Sequence, residues 1–129
     1  MLKRTLVGLF RSFDATGEKA RDPALKTRYY RLSRDKAWDD IVSTLKKMKG
    51  YKVLHEVPKL GEIVLERRTI TGRVQDITLT VFDLGPGKTA VDIYSASRGS
   101  LGDLGANYRT ILEIYRELDR KFASYRMTQ

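Results

Sequence analysis

Apolar positions along this chain switch between a helical and a strand period, and the switches mark its elements. Leu2, Leu6, Leu9, Phe10 and Phe13 recur at helical spacing with Lys3, Arg4 and Arg11 between them. This pattern predicts a short amphipathic helix over residues 2–13. Residues 14–26 are polar, contain Gly17 and Pro23, and read as a linker. Residues 27–33 read as a short strand with Tyr30 and Leu32 on one face. Ser33 is then placed to cap a helix over 34–48, whose stripe is Ala37, Trp38, Ile41, Val42, Leu45 and Met48. Lys46, Lys47 and Lys49 near its end suit the negative pole of the helix dipole, and Gly50 suits the exit.

Four strands follow by alternation. They are predicted over 51–57, 62–70, 73–83 and 88–98, separated by Pro58 to Gly61, Thr71-Gly72 and Gly85-Pro86-Gly87. Ile63, Leu65, Ile77, Leu79, Val81, Val91 and Ile93 share one face, with Tyr51, Val53, His55 and Val57 on the first strand of the set. The opposite face is expected to carry Lys52, Glu56, Glu66, Arg68, Asp76, Thr78, Asp92 and Tyr94. Register follows from parity. A two-residue turn at Thr71-Gly72 would set Glu66 against the core residue Ile77, because a one-residue slip reverses every side chain. A three-residue turn sets Leu65 against Leu79 and predicts an Arg68–Asp76 pair on the outer face. The last element is a helix over 105–125 with the stripe Tyr108, Ile111, Leu112, Tyr115, Leu118 and Phe122.

The implied fold is α+β: a curved antiparallel sheet of about five strands with helices on one face, preceded by the N-terminal amphipathic helix. Strand, helix, four strands and helix is an order seen in TATA-binding-protein-like folds and in a reduced helix-grip, an analogy of shape alone. Residues 27–129 form the expected single domain, with residues 1–26 as helix and linker.

Composition narrows the chemistry. The 129 residues carry a formal charge of +9, no Cys and one His. No Cys excludes a disulfide scaffold, a thiol nucleophile and thiolate zinc sites. One His excludes multi-His metal sites, and His55, with no nucleophile in view, is expected to be structural. Residues 1–36 hold 10 basic and 4 acidic side chains, a surplus of six, so two-thirds of the excess lies there. The outer sheet face instead carries Glu56, Glu66, Asp76 and Asp92, which repel phosphate, and Tyr94 as its clear stacking residue. Nucleic acid is therefore not the expected partner. No apolar run nears the roughly 18 residues of a membrane span, and no cleavage signal follows the N-terminus, so the expected location is cytoplasmic. Gly85-Pro86-Gly87-Lys88-Thr89 ends like a phosphate loop, but Phe82 stands where its first glycine belongs and a strand follows.

The segment from Ser97 to Asn107 places Gly99, Gly102 and Gly105 between a strand and a long helix. Backbone amides there can hold an anion, with Arg98 assisting. The competing reading is a plain crossover in which Asp103 caps the helix and pairs with Arg98. Ser97, Arg98, Asp103, Leu104, Gly105, Asn107 and Ile111 fall in the order of a signature that resembles domain-of-unknown-function family 1499, small proteins of bacteria and plant plastids. Ser100 and Thr110 stand where that pattern has Gly and Arg. The resemblance implies one small domain and no cofactor.

The expected function is a small non-enzymatic binding domain for an anionic ligand or a protein. Its candidate residues are Arg98, Asp103 and Asn107, with Arg68, Asp76 and Tyr94 as a second set. No catalytic or metal-ligating residue and no cofactor is expected. The rival is a peripheral protein acting through residues 2–13 on an anionic membrane surface or in a homodimer. An enzyme using the acidic sheet face ranks third.

Overall fold

The computed structural model describes residues 13–70, 72–98 and 105–127. In chain order these form β1 (Phe13–Ala15), β2 (Arg28–Tyr30), α1 (Arg34–Lys47), β3 (Tyr51–Val57), β4 (Glu62–Arg68), β5 (Val74–Asp83), β6 (Thr89–Ser97), α2 (Ala106–Lys121) and β7 (Arg126–Met127). The fold is α+β with an antiparallel sheet and two helices, and its seven strands exceed the expected number. The meander β3-β4-β5-β6 supplies most of the sheet, and β2 and β7 extend it beyond β6. Both helices pack on one face. Ala37, Ile41, Val42 and Leu45 of α1 and Ile111, Ile114, Tyr115 and Leu118 of α2 bury against Ile63, Leu65, Ile77, Leu79, Val91 and Ile93. Burial of this many large apolar side chains is the main source of cohesion.

The segment read as a linker, residues 14–26, begins in the sheet, with Asp14 and Ala15 in β1. β1 pairs with the end of β6 (Asp14↔Ser95) and β2 with its start (Tyr29↔Ala90), so the two occupy one lane along β6. Residues 16–27 loop out between them and include a 3-10 turn at Pro23–Leu25 whose Leu25 is buried. Asp92, at the break in the lane, closes the loop at its base. Its Oδ1 accepts hydrogen bonds from the hydroxyls of Thr16 and Thr27, each at 2.7 Å. Polar composition therefore marks a clamped excursion here. Of the helix expected over 2–13, Phe13 instead begins β1, and the rest lies outside the described residues together with the membrane and dimer roles tied to it.

Two further expectations on the strands are corrected. Leu54 is an extra residue in β3, between the pairs Val53↔Leu65 and His55↔Val64. This bulge turns His55 to the outer face, where it is exposed, and Glu56 to the helix side, where it meets Lys46 at 3.2 Å. The β4–β5 register sets Leu65 against Ile77 and Glu66 against Asp76. It lies two residues from the expected one, so every face is kept while the partners change. Arg68 stands opposite Val74, and the Arg68–Asp76 pair is not made. The stripe of α2 also differs. Ile114 is fully buried where Leu112 was expected, and Asn107 and Thr110 are buried beside it.

Candidate functional site

Polar residues cross the helix-facing side of the sheet at one end. The pairs Tyr51↔Arg67, Arg67↔Gln75 and Gln75↔Ser97 put four such side chains in one row across β3, β4, β5 and β6. α2 lies over this row with Asn107, Thr110 and Glu113 on successive turns. Buried polar groups need partners, and this row finds them in a continuous chain. Arg67 Nη1 donates to the Thr110 hydroxyl at 2.7 Å, which donates to Gln75 Oε1 at 2.8 Å. Gln75 Nε2 donates to Asn107 Oδ1 at 2.9 Å, and Asn107 Nδ2 donates to Ser97 Oγ at 3.0 Å. The Ser95 hydroxyl also donates to Asn107 Oδ1, at 2.6 Å. The four links from Arg67 to Ser97 all point away from the guanidinium, so each polarises the next, and Ser95 donates into the chain from the side.

The near end of this row is less complete. Arg67 Nη2 is 3.9 Å from the Glu113 carboxylate, a loose contact, and the guanidinium lies 5.3 Å from the Tyr51 ring centroid. The Tyr51 hydroxyl sits beside Glu113 and Thr110 yet meets neither at hydrogen-bond geometry, and it is buried without a partner. Burial pushes this phenol well above its ordinary 10, Arg67 pulls it back, and Glu113 adds to the rise. It therefore stays protonated and remains a donor.

Glu113 also lines an open groove of about 630 Å³ between the end of α1 and the outer side of α2. Lys47, Lys49, Arg116, Arg120 and Lys121 line it, against the carboxylates of Glu113 and Glu117. Arg120 is paired with Glu117 at 3.5 Å, and Lys121 meets Asp40 at 4.0 Å. Lys47, Lys49 and Arg116 have no carboxylate partner among the described residues.

The crossover set does not form one site. Asn107 is fully buried under the sheet, whereas Arg98 lies on the outer face. Arg98 makes a two-pronged pair with Asp76 (Nε–Oδ2 2.9 Å, Nη2–Oδ1 2.7 Å) and reaches Glu66 at 3.3 Å. That hydrogen bonding holds the Asp76 carboxyl below its ordinary 3.8. Asp103 lies outside the described residues, and the cap position of α2 is Gly105, at φ 81° and with no side-chain cap. Of the second set, Tyr94 stacks on Phe13 at 5.7 Å, and Arg68 is exposed. Tyr51, Arg67, Gln75, Ser95 and Thr110 were missed. The available signal was Arg67 and Gln75 at core-facing parity in their strands.

No cluster of three or more His, Asp or Glu side chains suited to a metal ion occurs among the described residues. No described helix is long and apolar enough to cross a membrane. No curated protein matches the chain. A similar solved structure is the crystal structure of the Zhui aromatase/cyclase from Streptomyces sp. R1128. It is 12% identical, spans 87% of this chain and 86% of that one, and has a TM-score of 0.34. The family model of a protein of unknown function, DUF1499, matches residues 10–118, which hold the whole polar row and most of both helices. By that match over most of its length, the chain belongs to the DUF1499 family.

Proposed function

We propose that this protein is a small non-enzymatic binding domain that takes an anionic ligand in the groove between α1 and α2. One observation carries the reading: five cations face two carboxylates there, and three of the cations have no carboxylate partner among the described residues. Unpaired cations around a concavity attract an anion at little cost, since no existing ion pair must be broken. A binding role is further supported by the outer-face carboxylates. Asp76 is held ionised by Arg98 and is poorly suited to passing a proton at neutral pH. The helix laid across a curved antiparallel sheet fits a reduced helix-grip, and its interior is filled by Ile111, Ile114, Tyr115 and Phe122. We therefore put the body of the ligand in the groove on the helical side of the molecule.

Titration calorimetry of the full chain with citrate and with inorganic pyrophosphate at low ionic strength tests this. Both anions should bind, and both should be recovered unchanged. The double variant Lys47→Glu, Arg116→Glu should weaken each by more than about tenfold, because repulsion replaces attraction at two points. Equal affinity in the double variant and the parent sinks the groove as the site.

A further inference from the structure

We infer that the inner end of the groove is a carboxylate subsite, built from Arg67 and the Tyr51 hydroxyl and covered in the free protein by Glu113. The inference rests on the groove reading and adds the class of ligand, a small organic acid. Three observations converge on it. The Tyr51 hydroxyl is a buried donor with no hydrogen-bond partner among the described residues, which is an uncommon state for a polar atom in a folded chain. Arg67 spends one nitrogen on Thr110, while its other terminal nitrogen faces Glu113 only at 3.9 Å. Glu113 both lines the groove and contacts Arg67, and it is 39% exposed, so it can swing outward.

One unpartnered donor, the Tyr51 hydroxyl, and one loosely paired donor, Arg67 Nη2, match the two oxygens of one carboxylate. Glu113 presents such a group to them without meeting either at hydrogen-bond geometry. A ligand carboxylate arriving along the groove is not tethered to the helix. It can take Arg67 Nη2 and the Tyr51 hydroxyl together while Glu113 turns toward Arg116 or solvent. Lys47, Lys49 and Arg116 then meet the ligand's remaining acidic groups. The exchange replaces one carboxylate by another and leaves the charge on the buried row unchanged.

Tyr51→Phe is the decisive variant, because it alters no charge. Its melting temperature should equal or exceed that of the parent, since the hydroxyl it removes has no partner. Its affinity for citrate should fall about two- to tenfold, the range of one hydrogen bond. Its affinity for pyrophosphate should hold to within about twofold, the lower edge of that range. Glu113→Gln should bind citrate more tightly than the parent. The subsite is overturned if Tyr51→Phe binds citrate as the parent does, or if it melts lower. The choice of carboxylate is overturned if pyrophosphate is the anion that loses affinity. Should Tyr51→Phe be silent while Lys47→Glu, Arg116→Glu abolishes binding, the groove stands without the subsite. Should both variants be silent, the groove falls with it.

Discussion

Asn107 is a small polar residue doing the work of a core residue. Its amide accepts from Gln75 and Ser95 and donates to Ser97, so it fastens the second residue of α2 to the last residue of β6. A buried amide removed from such a set leaves its former partners unsatisfied, and each costs about 1–3 kcal/mol. Asn107→Ala is therefore expected to lose about 2–4 kcal/mol of stability in urea unfolding, with Leu as no better replacement. Loss of less than about 0.5 kcal/mol would mean that water takes over the amide's bonds. The sequence singled out Asn107, through its place in the segment after Ser97. It did not yield the company Asn107 keeps, since Arg67 and Gln75 lie on two other stretches of chain. Only registers accurate to the residue bring those positions into one row.

Whole strands and helices were more legible than their pairings. β3 and α1 fall close to where alternation and the Ser33 cap put them, because burial imposes those periods directly. The faces of β4, β5 and β6 were also recovered, since parity is fixed by which side is buried. Partners within a face were not, because shifting the β4–β5 hairpin by two residues exchanges one apolar neighbour for another. The bulge at Leu54 left no mark in the alternation, so His55 and Glu56 were assigned to the wrong faces. Gly61, between β3 and β4, is a place where element geometry leaves no freedom. It has φ +68°, its carbonyl accepts from the Val81 amide at 2.7 Å, and a methyl group there would lie 2.3 Å from the Val81 carbonyl oxygen. Gly61→Ala is expected to cost more than about 2 kcal/mol, combining backbone strain with a clash that β5 cannot yield to. Thermal unfolding measures it. An unchanged melting temperature would show that the turn can rebuild itself.

Across the whole molecule, the sum of charges does not single out the proposed groove. The surplus lies mainly in residues 1–36, yet the groove draws its cations from Lys47 to Lys121, a stretch that is only mildly basic in total. What counts there is pairing. Asp40 and Glu117 neutralise some cations and leave Lys47, Lys49 and Arg116 over. A sequence total cannot show which charges cancel locally. The shared lane of β1 and β2 along β6 has a consequence in time. The meander β3-β4-β5-β6 closes through neighbouring hairpins, whereas Phe13 must find Ala96 about eighty residues later, and such distant contacts form slowly. β1 and β2 are thus expected to settle last, with the Asp92 clamp closing at the end of folding. Asp92→Ala, which removes the shared acceptor, should then speed unfolding while leaving the folding rate nearly unchanged in stopped-flow measurements. A variant that instead slows folding would place the lane in the nucleus, with the earliest part of the chain waiting on nothing.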